Sequence, residues 1–382
     1  MLIIHRLFKE FYRSEKTAGL ILIICTVISL VLANSSAQHE YIHFWKISLG
    51  GMSLEHWIND ALMTIFFLLI GLELEREIYC GELSTLKNAL LPMAAALGGM
   101  CFPAAIYWLF NYETPTLSGT GIPTATDIAF ALAILSLLGN RVPPTLKIFL
   151  TALAVVDDLG AIIIISLFYT QSLIASYLFI ALGIFVVLLI LNRLRVYSLI
   201  PYLVGGIAMW YFMHHSGVHA TITGVLLAFA IPFNRNGERS PSYILQHAIH
   251  YPVAFIILPL FALANTAIPV NCEISAIVRE PHSLGISMGL IIGKPIGITV
   301  FSYIAVSLGA CCLPRLVNWY HIIGIGLLGG IGFTMSIFIT LLAFNDPDII
   351  NQAKLSILLA SCGAALIGFT VLHLTLKRLY IR

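Results

Sequence analysis

The sequence contains very few charged residues. Asp, Glu, Lys and Arg make up 10% of the 382 residues, whereas hydrophobic types make up 59%. Soluble globular domains carry about 25% charged residues, so this chain lacks the charge to cover a protein of its size with a water-facing surface. The scarcity excludes an ordinary soluble enzyme or binding domain and predicts that most of the perimeter contacts a lipid bilayer.

The sequence also lacks the features of nucleic-acid-binding, nucleotide-binding and disulfide-rich proteins. Its net charge of +2 provides no basic surface for nucleic acid. It has no glycine-rich phosphate loop and no CxxC pair, and its seven cysteines are odd in number and lie mostly within apolar runs. We therefore expect no nucleic-acid partner, no cofactor and no disulfide framework.

Long apolar segments occupy most of the chain. A membrane-spanning helix needs roughly 20 mostly apolar residues. The sequence predicts an all-α polytopic membrane protein, a single transporter domain over residues 1–382 with about twelve transmembrane helices. The predicted spans are 17–34, 57–80, 88–110, 121–138, 145–169, 174–193, 199–214, 217–232, 248–268, 283–309, 320–344 and 352–376.

The distribution of Lys and Arg predicts the orientation of these spans. With the N-terminus in the cytoplasm, sixteen of the 20 basic residues fall on the cytoplasmic side, and Lys294 lies within a span. Three fall outside, at Lys46, Arg279 and Lys354. This asymmetry follows the positive-inside rule, so we expect both termini to be cytoplasmic.

One polar connection has the pattern of a β-hairpin. Two short alternating segments flank Gly50-Gly51 within residues 45–55, on the predicted external side. An isolated hairpin is marginally stable in water, so it would need a partner, such as the same hairpin of a second subunit. An ordinary loop is an equally good interpretation of this segment.

Four charged residues lie within predicted spans, namely Asp127, Asp157, Asp158 and Lys294. Charges inside a membrane are costly and usually mark a functional site. Adjacent side chains on a helix point about 100° apart, so Asp157 and Asp158 can both reach one cavity edge. Two such carboxyl groups titrate as a coupled unit and can exchange protons for a hard cation. The alternative is a structural ion pair, but Lys294 can neutralise only one of three carboxylates.

Glycine and proline interrupt the fourth and eleventh predicted spans. Three such residues closely precede Thr126 and Asp127, and five glycines lie within residues 324–332. Interrupted spans in corresponding halves indicate a transporter's binding site, although glycine also serves close helix packing. Each is the middle member of a three-span unit, about 88–169 and 283–376, and we predict that these units are inverted repeats. Asp127 would then balance the partial charges of opposed half-helix ends.

A series of short motifs carries a family resemblance. They are Trp57-Ile-Asn-Asp-Ala-Leu-Met, Phe66-Phe-Leu-Leu-Ile-Gly-Leu-Glu73, Thr126-Asp127-Ile-Ala-Phe-Ala-Leu, Val156-Asp-Asp-Leu-Gly-Ala-Ile-Ile-Ile, Ser216-Gly-Val-His-Ala-Thr221, Leu258-Pro-Leu-Phe-Ala262, Gly293-Lys-Pro-Ile-Gly and Gly332-Phe-Thr-Met-Ser-Ile-Phe. In this order they resemble the bacterial NhaA sodium/proton antiporter family. The likeness extends from Gly19 to about Gly368.

The resemblance implies that the protein exports cytoplasmic Na⁺ or Li⁺ in exchange for external protons. More than one proton enters per sodium, so the exchange would be electrogenic. Asp158 matches the principal cation ligand, with Asp157 beside it, and Lys294 matches the lysine that pairs with the first aspartate. Thr126 and Asp127 match the crossing point of two broken helices. The resemblance also implies a homodimer in the bacterial cytoplasmic membrane, joined partly through the external hairpin. Whether Asp157 or Lys294 carries the second proton stays open.

The family senses pH at a cytoplasmic funnel, and this chain departs from the family there. A basic residue is typical where Glu75 stands, and glutamate is common where Gln246 stands. The sequence therefore leaves the pH of activation open. The alternative interpretation of these residues is a solvated, charged helix end without a sensing role. We expect the other nine histidines to be interfacial or loop residues without a metal-ligand grouping. The predicted funnel residues are Glu73, Glu75, Arg76, Glu77, His219, Gln246, His247 and His250.

Three other functions compete with cation exchange. A cation channel would need a ring of ligands along one pore, and a lysine beside the aspartates favours alternating access instead. A sodium-coupled symporter for an organic solute, the main alternative, would need a larger polar cavity. An intramembrane aspartyl protease would bring aspartates together from two helices, whereas Asp157 and Asp158 are adjacent.

Overall fold

The computed structural model of the protein describes residues 2–169, 173–234, 240–269 and 279–376, most of which are helical. In chain order the α-helices are α1 (Leu2–Ala33), α2 (Gln38–Trp45), α3 (Leu54–Trp57), α4 (Met63–Cys80), α5 (Leu86–Asn111), α6 (Ile128–Leu137), α7 (Pro144–Phe168), α8 (Ala175–Arg193), α9 (Ile200–His215), α10 (Ile222–Ala230), α11 (Pro241–Pro252), α12 (Leu258–Asn265), α13 (Pro281–Met288), α14 (Lys294–Ser307), α15 (Trp319–Gly329), α16 (Phe333–Ala343) and α17 (Pro347–Leu376). The 3₁₀ segments are Glu82–Ser84, Pro115–Thr124 and Gly139–Arg141, and the π-helical segments are Ile58–Leu62, Val253–Ile257 and Gly289–Gly293.

The prediction of an all-α polytopic membrane protein is confirmed. The described residues include 8 helices long and apolar enough to cross a membrane, and up to 10 spans if each of two bent helix pairs counts as one. Two further predicted spans correspond to α9 and α10, which have 16 and 9 residues and fall short of the usual spanning length. Lys354, counted above among external residues, lies within α17 and is buried.

The chain divides into two compact units. The first comprises Met1–Tyr41, Thr85–Ala161 and Asn265–Arg382, and the second comprises Ile42–Ser84 and Ile162–Ala264. In the first unit, α5 and α14 meet backbone to backbone at Gly98 and Gly297. A Cβ atom added to Gly297 would lie 2.0 Å from the carbonyl oxygen of Gly98. Small residues allow such an approach where lipid provides no hydrophobic driving force between helices.

Two bent helix pairs lie in the first unit, at the fourth and eleventh predicted spans. The segment Pro115–Thr124 meets α6 at 44°, and α15 meets α16 at 46°. The breaks fall at residues 125–127 and 330–332, next to the proline and glycine residues of the sequence pattern. Each pair is the middle member of a predicted three-span unit. The inverted relation between those units stays a prediction.

In the second unit, α4 packs closely against α10. A Cβ atom added to Gly224 would lie 2.2 Å from the carbonyl oxygen of Thr64, and one added to Gly71 would lie 2.6 Å from the Cβ of Ala228. The two contacts occur near opposite ends of α10. They therefore fix α10 along α4, with the start of α10 beside the start of α4.

A β-hairpin with two residues in each strand precedes α3. Strand β1 (Ser48–Leu49) pairs antiparallel with β2 (Met52–Ser53), with Leu49 opposite Met52. Gly50 and Gly51 connect the strands with φ values of 63° and 93°, as the favoured two-residue hairpin turn requires. The indole of Trp57 donates to the carbonyl oxygen of Leu49 at 2.8 Å, which attaches the hairpin to α3.

Candidate cation and proton site

Asp157 and Asp158 lie near the middle of α7, away from both ends of this 25-residue helix. Their relative exposures are 0% and 1%. The surrounding helix is apolar, because the segment 153–165 otherwise contains Leu, Ala, Val, Gly and Ile. Burying charge in such a place is unfavourable unless partners compensate for it, so the surroundings of the two carboxyl groups determine what they can do.

Lys294 is the partner of Asp157. It begins α14, directly after the π-helical segment Gly289–Gly293, and is itself 0% exposed. Its Nζ lies 2.8 Å from Oδ2 of Asp157 and also donates to the hydroxyl of Thr126. The predicted pairing of Lys294 with the first aspartate of the doublet is therefore present in the geometry.

Thr126 connects this ion pair to the broken helices. Its hydroxyl lies 2.7 Å from Oδ2 of Asp157 and 2.9 Å from the carbonyl oxygen of Gly329, the last residue of α15. A hydroxyl has a single proton, so Thr126 donates to one of these acceptors at a time. A change in the charge of Asp157 can therefore change the hydrogen bond at the end of α15.

Asp127 lies between the beginnings of two half-helices. One carboxylate oxygen accepts from the backbone N–H of Phe130 in α6 at 2.9 Å. The other accepts from the backbone N–H of Thr334 in α16 at 3.1 Å and from its hydroxyl at 2.5 Å. Helix N-termini carry partial positive charge, so the Asp127 carboxylate balances both.

The backbone of Asp127 also joins the two breaks. Its N–H donates to the carbonyl oxygen of Ile331 at 2.7 Å, so the interrupted segments cross at this residue. Thr334 belongs to a motif quoted above, but sequence reasoning did not identify it as a site residue. Its only signal was a hydroxyl residue near the start of a helix that follows Gly332.

The charges at α7 do not cancel within the group formed by Asp157, Asp158 and Lys294. With both carboxyl groups ionised and the lysine protonated, the group carries one net negative charge. A buried site of low polarity favours neutrality, which either one proton or one monovalent cation can provide. Oδ1 of Asp157 has no hydrogen-bond donor among the described residues, so this oxygen is available to coordinate a cation.

The predicted funnel residues of α4 and α11 come together in the second unit. Glu75 is buried and accepts a hydrogen bond from the hydroxyl of Ser242 at 3.0 Å. His250 Nδ1 lies 3.8 Å from Oε1 of Glu73. Other members line the same two helices: Arg76 and Glu77 approach to 3.8 Å, Gln246 is buried, and His247 stacks on Tyr243.

His219 does not belong to this group. It lies in the turn before α10, and its Nε2 is 2.9 Å from the carbonyl oxygen of Tyr169. Because α10 begins beside Thr64, His219 is near the other end of α4, and the nine residues from Thr64 to Glu73 span about 14 Å of helix. The prediction that His219 lies with the other funnel residues was therefore wrong.

The expectation that the remaining histidines form no metal-ligand grouping was also wrong. His56 and His214 meet around Asp60, with the three ligand atoms within 4.8 Å of one another. His214 lies 154 positions from Asp60, so spacing gave no signal that the three residues meet. His282 and His321 are buried rather than interfacial, and His321 forms a capping box with Asn318 at the start of α15.

Comparison with known proteins gives matches over nearly the whole chain. Residues 9–372 match the family described as Na+/H+ antiporter 1. A Na(+)/H(+) antiporter NhaA of Flavobacterium psychrophilum is 64% identical over 375 residues, covering 98% of both chains. Its counterpart in Cytophaga hutchinsonii is 60% identical, covering 97% of this chain and 96% of its own. That of Rhizobium etli is 46% identical with the same coverage.

Proposed function

The chain belongs to the Na+/H+ antiporter 1 family, as its motifs indicated, and on that premise we propose that it exports Na⁺ in exchange for protons. It is then a secondary active transporter and not an enzyme. The observation that supports this most directly is the buried group of Asp157, Asp158 and Lys294, whose excess negative charge either a proton or a monovalent cation can cancel. One site serving both ligands in turn is what exchange requires.

The cycle follows from this competition. In the proton-loaded state Asp158 is protonated and Lys294 is charged, while Asp157 is either a carboxylate held by Lys294 or itself protonated. Na⁺ or Li⁺ enters when Asp158 loses its proton, because the cation needs a negatively charged oxygen ligand. Release of a second proton makes the exchange electrogenic, and this proton comes from Lys294 if Asp157 starts as a carboxylate or from Asp157 if it starts protonated. Movement of the half-helices that cross at Asp127 would open the site to each side in turn.

We assign pH regulation to the group formed by α4 and α11. His250 of α11 lies 3.8 Å from the carboxylate of Glu73 in α4, so these two side chains join the helices. Glu75 and Gln246, which depart from the family pattern, lie in the same group and would set the pH of activation.

The remaining features of the proposal concern the assembly. The protein lies in the bacterial cytoplasmic membrane with both termini inside, and two copies associate through the hairpin of β1 and β2. The exposed side chain of Leu49 in β1 provides apolar surface for a second hairpin. Such a pairing would give the isolated hairpin the partner that it needs for stability.

Proton flux in liposomes tests the exchange. Purified protein is reconstituted with an imposed proton gradient, and NaCl, LiCl and KCl are added in turn between pH 6 and 9. We expect Na⁺ and Li⁺ to dissipate the gradient, and we expect Asp158→Asn and Asp157→Asn to abolish this activity. Asp348→Asn, at an exposed position of α17, is the matched control and should behave as wild type.

Two results would contradict the proposal. Wild-type protein that moves no protons with any cation at any pH is not an antiporter, and sodium-dependent uptake of organic solutes would then test the symporter alternative. Full activity of Asp158→Asn would be compatible with exchange but would show that Asp158 is not the residue that binds the cation and the proton.

A further inference from the structure

Three side chains of the second unit form a cluster outside the site described above. Nδ1 of His214 lies 2.7 Å from Oδ2 of Asp60, and Nε2 of His56 lies 3.9 Å from the same oxygen. Side-chain exposure is 50% for His56, 18% for Asp60 and 27% for His214. The cluster is thus partly shielded but open at the surface of the structure.

The helices hold these side chains in place. His56 and Asp60 are one turn apart, where α3 passes into the π-helical segment Ile58–Leu62, and π-helical turns occur frequently at functional sites. His214 lies in the last turn of α9. Its ring stacks on Trp210 at 5.7 Å between centroids, and Trp210 stacks on Trp57 at 6.0 Å. The stacked rings fix the plane of one imidazole toward Asp60.

The ligand types select a class of ion. Two imidazoles and one carboxylate suit Zn²⁺ and neighbouring transition metals, whereas hard cations such as Na⁺ and Mg²⁺ prefer oxygen ligands. Zinc bonds of about 2.0 Å place tetrahedral ligand atoms about 3.3 Å apart. The observed 2.7 and 3.9 Å separations lie on either side of this value. Small side-chain rotations would therefore bring the three ligand atoms to the spacing that Zn²⁺ requires.

We propose that His56, Asp60 and His214 form a binding site for a divalent transition-metal ion, with Zn²⁺ as the best match and water completing the coordination. The bound ion would connect the start of α3 to the end of α9. The site is separate from Asp157 and Asp158, and its occupancy can be measured without any transport. Failure of this proposal would therefore leave the proposed exchange untouched.

Metal titration of the purified full-length protein, with its affinity tag removed, tests the proposal. Calorimetry with ZnCl₂ should show one saturable site per chain, Co²⁺ should give the visible absorption of a bound ion, and Zn²⁺ should raise the thermal midpoint. His214→Gln and Asp60→Asn should weaken binding by more than about tenfold, because loss of an outer-shell partner alone costs about 10–100-fold. His56→Gln removes an exposed side chain and should do the same without loss of packing.

Matched controls separate this cluster from other ligands of the chain. His215 is adjacent but bonds the carbonyl oxygen of Tyr211, so His215→Gln should bind Zn²⁺ as wild type does, and so should Glu55→Gln. His39 and His43 in α2 have the HExxH spacing that can bind zinc. If wild type shows no saturable binding, or if His39→Gln/His43→Gln loses Zn²⁺ while His56→Gln and His214→Gln retain it, the proposal is wrong.

Discussion

Lys294 and Asp157 form a completely buried ion pair, so removal of one partner leaves the other charge without compensation. We expect Lys294→Met to lower the stability of the protein by about 3–5 kcal/mol. Lys294→Met/Asp157→Asn, which removes both charges, should recover most of the loss. Thermal unfolding in detergent measures both variants, with Lys46→Met at an exposed position as the control. Equal midpoints for the single and double variants would show that the pair is not coupled.

The hydroxyl of Thr334 should matter because it bonds a buried carboxylate. Thr334→Val keeps the shape of the side chain but removes the donor to Asp127. Loss of a hydrogen bond to a charged group costs about 1.5–3 kcal/mol, so we expect a lower thermal midpoint and slower Na⁺-dependent proton flux. Thr334→Ser retains the donor and should stay close to wild type. If valine and serine behave alike, the hydroxyl has no role.

Residue identity alone revealed the charged part of the site but not its polar partners. Asp127, Asp157, Asp158 and Lys294 stood out because charge within an apolar span is rare. Thr334 did not, because an isolated threonine is unremarkable in an apolar helix. The cluster around Asp60 and the contact of Glu75 with Ser242 join residues more than 150 positions apart, and only the fold brings them together.

At the scale of helices, the meeting of α5 and α14 determines where Lys294 is held. Gly297→Ala would place a Cβ atom 2.0 Å from the carbonyl oxygen of Gly98, so the helices must separate. We expect a loss of about 1–3 kcal/mol, typical of overpacking, together with reduced exchange. Gly183→Ala in α8 has no atom within 4 Å of the new Cβ and should be neutral or slightly stabilising. Thermal midpoints of the two variants check this, and equal midpoints would contradict the close contact.

The breaks in the fourth and eleventh spans were predictable because glycine and proline mark them directly. The helix lengths were harder to predict. The span predicted at 199–214 matches α9 to within one residue at each end, whereas the span predicted at 217–232 corresponds to α10, which starts only at Ile222. The intervening residues 216–221 mix small, polar and apolar types without a proline, so hydropathy does not locate the start of α10. Hairpin and loop were equally compatible with residues 45–55, and the strand pairing emerges only from the backbone.

For the whole molecule, the proposed cycle predicts exchange that depends on membrane potential. In that cycle two protons would leave the site for each Na⁺ that enters, so each turn would move net charge. Without a permeant counter-ion the potential should build up and slow Na⁺-driven proton flux in liposomes. Potassium with valinomycin should relieve that inhibition. Flux that is identical with and without valinomycin would indicate electroneutral exchange.

The balance point of opposing gradients gives the stoichiometry independently of rate. At zero potential, a tenfold Na⁺ gradient is balanced by a pH difference of about 0.5 for two protons per Na⁺ and about 1 for one. We expect the smaller value for wild type. Lys294→Gln separates the two candidates for the second proton: a shift to the larger value assigns it to Lys294, and an unchanged value assigns it to Asp157. A wild-type balance near 1 would instead mean that the Asp157–Lys294 pair stays intact and that Asp158 alone exchanges its proton for the cation.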